Sequence, residues 1–287
     1  MRNFKIVTDS SCDLPRAKIE EFGIEVIQLD VIVDGEPTRS DCDVEPKSFY
    51  NSLRGGKGAK TAAANVDTFT KCFEKIVNEG MDVLYIGFSS GLSATYQAGT
   101  VAAADVAEAH PDFKVLTVDS LAASLGQGLL VSLAVKQAKE GKTIEEVKIF
   151  VEETRDHLCH WFTVDDLHFL KRGGRVSAAT AVVGSMLSIK PIMHVDDEGH
   201  LIKVDTTRGR RKSIEELFHH MEETAIDPEK QTVYISHGDC IEDAEFLAGL
   251  IRTKWGISDI LINYVGPVIG AHSGPGTLAL FFIGTKK

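Results

Sequence analysis

Short β-branched segments alternate with helix-like segments through the first half of the chain, and this alternation constrains the fold more than any other feature. The candidate strands are FKIVTD, EVIQLDVIV, DVLYIGF and KVLTVD. The helix-like segments that follow polar turns are DLPRAKIEEFG, VDTFTKCFEKIVNEG, LSATYQAGTVAAADVAEAH and LAASLGQGLLVSLAVKQAKEG. Such an order predicts a mostly parallel sheet with helices on its faces.

Polar residues follow three of these candidate strands. They are Asp9 to Asp13, Ser89 to Ser93 and Asp119 to Ser120. Ligands of open α/β sheets bind outside the carboxyl ends of the strands. The three turns therefore predict a binding site at one edge of the sheet.

The second half of the chain has a different pattern. After the long helical segment TIEEVKIFVEETRDHL, the run IMHVDDEGHLIKVDT is typical of a hairpin, and QTVYISHGD, DILINYV and TLALFFIG predict three further strands. Hairpins indicate a mixed or antiparallel sheet. We therefore predict an α/β protein with an N-terminal parallel-sheet α/β/α domain, residues 1–157, a C-terminal mixed-sheet α/β domain, residues 158–287, and a cleft between them.

Composition and charge narrow the functional classes. The net charge of −11 argues against a nucleic-acid-binding surface, which needs clustered Lys and Arg. No apolar run approaches the roughly 20 residues of a membrane span, so we predict a cytoplasmic protein. The five cysteines form no C-x-x-C pair, and the cluster of His157, Cys159 and His160 is interpreted as structural. We expect neither a metal nor a cofactor.

The segment GFSSG matches the G-x-S-x-G elbow of α/β-hydrolases and permits a serine esterase as one hypothesis. Ser89 would be the nucleophile and His272 the base, with Asp165, Asp166 or Asp239 as the acid. No oxyanion segment of the HGGG type precedes it. The chain order of a hydrolase triad is nevertheless satisfied, so this alternative stays open.

The same turn could instead hold an anion. The N-terminus of a helix offers unpaired N–H groups and a positive dipole end, and Ser90 and Ser93 add two hydroxyl groups. Several hydroxyls suit a hydrogen-bonding clamp better than a triad, which needs one activated serine. A nucleotide site is not expected, because GGKGAKT lacks the spacing of a P-loop.

Two basic segments and one histidine are further candidates. The segment KRGGR presents Lys171, Arg172 and Arg175 around two glycines, and RGRRK forms a second cluster from Arg208 to Lys212. Guanidinium groups in such turns favour carboxylate or phosphate ligands. His272 lies in GPVIGAHSGPG, where glycine and proline predict a constrained loop, and this indicates a functional role.

Together these motifs resemble a known family. The segments TDSSCDLP, GLSATYQ, VDSLAASLGQG, DDLHFLKRGGRVS, IKPIM and GPVIGAHSGPG occur in the order and spacing of the DegV family of bacterial fatty-acid-binding proteins, from about Lys5 to Gly284. The resemblance implies a parallel-sheet domain, a mixed-sheet domain and a long-chain fatty acid buried between them.

In several bacteria such a protein is the binding subunit of fatty-acid kinase. It presents the fatty-acid carboxylate to a separate ATP-binding subunit, which makes an acyl phosphate for phospholipid synthesis. The resemblance thus implies a carrier that holds no ATP itself, with transient contact to a membrane surface as a further expectation. A lipid carrier or sensor with no kinase partner is an open alternative.

The resemblance also implies roles for individual residues. Those expected to bind the carboxylate are Thr61, Ser93, His272 and Arg172. Thr61 and Ser93 are both expected to stand just before helices, whose N–H groups add to their hydroxyls. Arg175 and Arg208 are expected to face the kinase or to stabilise developing charge.

Two further features concern the ligand that is bound. The family commonly has T-S-Q-P at the threonine motif, whereas here Ala62, Ala63 and Ala64 follow Thr61. This departure points to a change in head-group geometry or ligand preference. The residues expected to shape the tunnel are Val182, Met186, Leu187 and Ile189.

Overall fold

The computed structural model of the protein describes residues 3–176 and 188–287. The elements of the first half are β1 (Phe4–Asp9), α1 (Arg16–Phe22), β2 (Glu25–Ile27), β3 (Asp30–Val33), β4 (Arg39–Ser40), α2 (Pro46–Arg54), β5 (Ala59–Ala62), α3 (Val66–Asn78), β6 (Asp82–Gly87), α4 (Thr95–Ala109), β7 (Val115–Asp119), α5 (Leu125–Lys139) and α6 (Ile144–Arg155). Those of the second half are β8 (Leu158–Thr163), α7 (Leu167–Arg172), β9 (Ile189–Val195), β10 (Leu201–Arg208), α8 (Arg210–Thr224), β11 (Val233–His237), α9 (Ile241–Trp255), β12 (Ile260–Tyr264), α10 (Pro267–Ser273) and β13 (Leu278–Ile283).

A parallel sheet with the strand order β2-β1-β6-β7 forms the centre of the first half. All six residues of β6 are buried, as in a strand that is covered on both faces. Val83 and Tyr85 pack with α3 and α4, whereas Leu84 and Ile86 pack with α5 and α6. The predicted parallel sheet with helices on its faces is confirmed.

The segment EVIQLDVIV does not form the single strand that its composition predicts. It contains β2 of the parallel sheet and β3 of a separate antiparallel sheet with the order β4-β3-β5. At the break, the Leu29 amide donates to Ser10 Oγ at 3.1 Å, and the Leu29 carbonyl accepts from the Asp41 amide at 2.9 Å. These bonds satisfy the Leu29 backbone outside the parallel sheet, so the chain turns away from it.

The small antiparallel sheet packs against two helices, α2 and α10. Side chains of β3 and α2 form a cluster with Val268 and Ala271 of α10, and Tyr50 OH of α2 donates to the Val265 carbonyl at 2.7 Å. The α10 segment was expected to be a constrained loop, and that expectation is wrong: Pro267 occupies the first turn of a short helix, where its missing N–H is not needed. This packing places β5 alongside α10.

A mixed sheet with the order β10-β9-β8-β13-β11-β12 forms the second half. The pairing of β11 with β12 is parallel, and the other pairs are antiparallel. The predicted hairpin is confirmed as β9 and β10, with Gly199 at φ 82° in the turn. The structure thus has the predicted fold class, whereas the boundary after residue 157 stays a prediction.

Helix α5 joins the two halves. The largest cluster of buried apolar side chains includes Leu84 of the parallel sheet, Leu129 of α5 and Phe281 of the mixed sheet. Gly126 and Gly128 lie in α5, where added methyl groups would meet Phe281 at 2.8 Å and the Cys12 carbonyl at 2.7 Å. Among the described residues, none of the helices is long and apolar enough to cross a bilayer.

Candidate functional site

A cavity of about 270 Å³ lies between the parallel sheet, α10 and the mixed sheet. Both halves of the chain contribute to its walls, which are mostly apolar. The apolar side chains include Leu29, Phe88, Leu92, Phe162, Leu170, Val195, Val265, Val268, Ala279 and Phe281. A concave apolar space with few polar groups is the usual form of a small-molecule site.

The carboxyl ends of three parallel strands meet beside this cavity, as predicted. Asp9 at the end of β1 accepts a hydrogen bond from the Phe88 amide at 2.9 Å, and Asp119 at the end of β7 accepts one from the Ser90 amide at 3.2 Å. These carboxylates fix the turn between β6 and α4. The turn therefore presents Leu92 and Ser93 to the cavity in a defined conformation.

Thr61 and His272 meet at the polar end of the cavity. Thr61 Oγ1 lies 2.9 Å from His272 Nε2, although 211 residues separate them in the chain. The expectation that Thr61 directly precedes a helix is wrong: it lies in β5, and Asn65 caps α3 four residues later. The contact arises because β5 runs beside α10.

The His272 ring is neutral at physiological pH. Burial, with a contribution from the nearby Arg175 charge, lowers the pKa of His272 to about 4. Its Nδ1 atom has no hydrogen-bond partner among the described residues, and Gly173 covers that side so closely that an added methyl group would overlap it. His272 therefore offers the cavity a neutral hydrogen-bonding group and not a cation.

Ser93 and Ser273 add hydroxyl groups to the cavity. Ser93 Oγ accepts from the Thr95 amide at 3.2 Å and contacts Thr95 Oγ1 at 2.9 Å, so it is anchored to the first turn of α4. Ser273 lines the cavity, and its hydroxyl has no partner among the described residues. Sequence reasoning missed Ser273, although it directly follows His272 in the GAHSGPG motif.

The two arginines of KRGGR have different positions. Arg175 lines the cavity, where its Nε atom donates to the Leu92 carbonyl at 3.1 Å and Nη1 donates to the Gly173 carbonyl. Arg172 is exposed, with its guanidinium 4.5 Å from the centroid of the Phe169 ring. It lines an outer depression, which we call the mouth and which shares Thr61, Arg175 and His272 with the cavity.

Arg208 lies apart from these residues. It is exposed at the end of β10, opposite Ile189 of β9, and is absent from the described walls of both cavity and mouth. Of the residues expected to shape the tunnel, Val182, Met186 and Leu187 lie outside the described residues. Ile189 is half-buried at the start of β9.

The nucleophile and the base of the esterase hypothesis, Ser89 and His272, have other hydrogen-bond partners in the structure. Ser89 is fully buried, and its hydroxyl donates to the Gly199 carbonyl at 2.9 Å. His272 contacts the hydroxyl group of Thr61 and not that of Ser89. Ser89 is also absent from the described cavity wall. Its hydrogen bond to Gly199 joins the β6–α4 turn to the β9–β10 turn.

Four further polar side chains line the interior of the cavity, namely Ser124, His160, Ser236 and Thr277. Ser124, at φ 54°, donates to Asp13 and contacts Ser236 Oγ at 3.0 Å. His160 of β8 also lines the cavity. In the described part of the chain, no group of three or more His, Cys, Asp or Glu side chains is arranged to hold a metal ion. The expected absence of a cofactor stays a prediction.

Comparison with known proteins identifies relatives over the full length of the chain. A sequence profile described as "Uncharacterised protein, DegV family" matches residues 3–285. A DegV domain-containing protein from Clostridium perfringens is 45% identical over 289 residues, covering 100% of this chain and 99% of that protein.

Solved structures agree with the fold. A DegV family protein from Thermus thermophilus, described by its fatty acid binding, has a TM-score of 0.87 at 29% identity, covering 98% of this chain and 99% of that one. A protein from Thermotoga maritima, reported to reveal a fatty acid binding function, has a TM-score of 0.84 at 30% identity with the same coverage. From the matched profile and the full-length relatives, we conclude that the chain belongs to the DegV family.

Proposed function

We propose that the protein binds a long-chain fatty acid in the cavity and presents its carboxylate to a separate ATP-dependent kinase subunit for acyl-phosphate formation. One observation carries the proposal: an apolar cavity ends in a polar cluster whose residues Thr61, Arg175 and His272 also line the mouth. The fatty-acid binding reported for the relatives from Thermus thermophilus and Thermotoga maritima supports the ligand class.

The acyl chain would supply most of the binding free energy. Burial of about 14 methylene groups at about 0.8 kcal/mol each gives a gross term of about 11 kcal/mol, before the costs of association and ordering. The aromatic side chains Phe88, Phe162 and Phe281 provide apolar contact surface in the cavity. The polar groups therefore mainly set the orientation of the ligand.

The carboxylate would lie between Thr61, Ser93, Ser273 and His272. Three hydroxyl groups and a neutral imidazole can donate hydrogen bonds to its two oxygens. Arg175 is the cation that lines the cavity together with these groups, so it would supply the positive charge. In this proposal Arg175 would lie closer to the carboxylate than Arg172, which would act at the mouth.

The mouth would be the place of phosphoryl transfer. Lys60, Arg172 and Arg175 line it, and a cationic environment stabilises the charge that develops on a transferred phosphoryl group. ATP and its metal ion would arrive with the kinase subunit. We propose that Arg208, exposed at the end of β10, contacts that subunit. Transient contact with a membrane surface stays a prediction.

Native mass spectrometry of the purified protein, followed by solvent extraction, tests the ligand. We expect a non-covalent adduct that extracts as a long-chain fatty acid. A protein that stays empty after incubation with hexadecanoate and octadecenoate would refute the lipid proposal. An acyl group that survives denaturation on the peptide containing Ser89 would instead support the esterase.

Kinase coupling needs a separate assay with ATP and an ATP-binding fatty-acid kinase subunit, in which acyl phosphate is trapped as the hydroxamate. We expect Arg208→Ala to lower turnover at least tenfold and to leave lipid occupancy unchanged. Arg16→Ala is the control, because Arg16 is exposed and pairs only locally with Glu20. A lipid-loaded protein that gives no acyl phosphate would favour a carrier or sensor without a kinase.

A further inference from the structure

A histidine lies in the interior of the cavity, away from the carboxylate end. His160 belongs to β8, and its side chain lines the cavity although the residue is only 2% exposed. Its ring contacts Phe281 edge-on, with the centroids 5.9 Å apart. A methyl group on Gly126 of α5 would meet the ring at 3.0 Å. The imidazole is therefore held between a helix and a strand.

The alternation of β8 establishes which way the ring faces. Phe162, two residues further along the strand, lines the same cavity, whereas Trp161 between them stacks on His220 of α8 on the opposite face of the sheet. From His160 the strand runs toward α7, whose following residue Gly173 abuts His272. His160 therefore lies deeper than Phe162, by about 7 Å along the strand.

Both ring nitrogens of His160 lack a hydrogen-bond partner among the described residues. Other polar side chains of the interior are paired: Ser124 with Asp13 and Ser236, and Thr277 with the Ser273 and Gly274 carbonyls. Burial lowers the pKa of His160 well below its usual value, so the ring is neutral and has one donor and one acceptor. Leaving both unpaired in an apolar cavity is unfavourable.

We propose that His160 recognises a hydrogen-bonding group on the interior part of the acyl chain, and that hydroxylated long-chain fatty acids are a preferred ligand class. This inference rests on the proposed fatty-acid site. A saturated hydrocarbon chain would leave both nitrogens unpaired. A secondary hydroxyl both donates and accepts, so it can pair with either nitrogen, and the fixed ring makes the preference dependent on the hydroxyl position.

A competition experiment tests the inference. The delipidated protein is offered octadecanoate together with 10-hydroxy- or 12-hydroxyoctadecanoate in equal amounts, and the bound acids are quantified after extraction. We expect at least one positional isomer to be retained about tenfold over octadecanoate, the size of one good hydrogen bond in a buried site. His160→Leu should abolish this preference, so that the hydroxy acids and octadecanoate are retained in equal amounts.

His160→Gln is the matched control, because its amide restores a donor and an acceptor and should recover part of the preference. If His160→Leu does not fold, the nitrogen chemical shifts of the His160 imidazole in the wild-type protein serve instead. Binding of the hydroxy acid should change them, whereas binding of octadecanoate should not.

Equal retention of all three acids, unchanged in His160→Leu, would overturn the inference while leaving the fatty-acid site intact, as expected if a trapped water pairs with the ring. Retention of none of the acids would instead refute the proposed function itself.

Discussion

The hydrogen bond between Thr61 and His272 connects the two halves of the chain at the polar end of the cavity. We expect Thr61→Val, which keeps the shape and removes the hydroxyl, to weaken fatty-acid binding about tenfold. Displacement of a fluorescent fatty acid measures the change. Thr61→Ser should retain most of the affinity. If Thr61→Val binds as tightly as the wild type at an unchanged melting temperature, Thr61 has no role in holding the carboxylate.

The charge state of His272 provides a second test at this scale. Its pKa of about 4 in the unliganded site reflects burial and the neighbouring Arg175 charge. A bound carboxylate would favour the imidazolium form, so fatty acid should raise the His272 pKa toward the ordinary value of about 6.5. Nuclear magnetic resonance titration of the imidazole, with and without ligand, measures the shift. An unchanged pKa would place the carboxylate elsewhere.

Motifs predicted several residues of the site, and packing explains those they missed. Thr61, Ser93, His272 and Arg175 all line the cavity, as expected if their motifs meet. The unpaired state of Ser273 and His160 could not be predicted, because it depends on which groups surround each side chain after folding. The functional roles of the six candidate residues remain predictions.

At the scale of elements, the close approach of α7 to α10 shapes the polar end of the site. Gly173 ends α7 with φ −73°, which any residue can adopt, but a methyl group there would overlap the His272 ring. We expect Gly173→Ala to displace His272 and to weaken fatty-acid binding by at least tenfold, measured by calorimetry. Gly249→Ala in α9 is the control, because no atom lies within 4 Å of the added methyl.

Unaltered binding in Gly173→Ala would mean that the position of His272 is not critical. Improved thermal stability is the expected result for Gly249→Ala, since alanine favours a helix over glycine.

Sequence patterns predicted strands and helices best where a segment belongs to only one sheet. The alternation of β6 with its flanking helices was recognised, because buried strands and amphipathic helices have different periods. The segment EVIQLDVIV was misread, since nothing in its composition reveals that Ser10 and Asp41 satisfy the Leu29 backbone. The α10 helix was likewise obscured by its glycines.

At the scale of the whole molecule, three buried carboxyl groups link stability to pH. Burial raises the pKa of Asp9, Asp13 and Asp41, and that of Asp41 reaches about 7. Between about pH 4 and pH 7 the folded protein keeps the Asp41 proton that the unfolded chain releases. The free energy of unfolding should therefore fall, by up to about 1.4 kcal/mol per pH unit for this group, as the pH rises through that window.

The variant Asp41→Asn isolates this contribution. The amide keeps an acceptor for the Val268 amide, which now donates to Asp41 Oδ1 at 3.2 Å, and it cannot ionise. Urea denaturation at pH 4.5, 5.5, 6.5 and 7.5 should show that the stability difference between variant and wild type grows with pH. A constant difference would contradict a raised pKa for Asp41.

The overall architecture was predictable because two patterns, alternating strands and helices followed by hairpins, occupy separate halves of the chain. The contacts that join the two halves could not be predicted from these patterns. A single apolar cluster extends from the parallel sheet through α5 to the mixed sheet, and it brings together residues distant in sequence, such as Leu84 and Phe281.

This shared core has a kinetic consequence for a lipid held as proposed. Swinging the two sheets apart would expose the side chains that pack around α5, and Leu125 and Leu130 of that helix are completely buried. We therefore expect the acyl chain to leave lengthwise, at the polar end where the cavity adjoins the mouth. We therefore expect the lipid to dissociate slowly. Lipid that binds while the protein is being made in the cell should stay bound through purification, until a partner protein or an added acceptor membrane removes it.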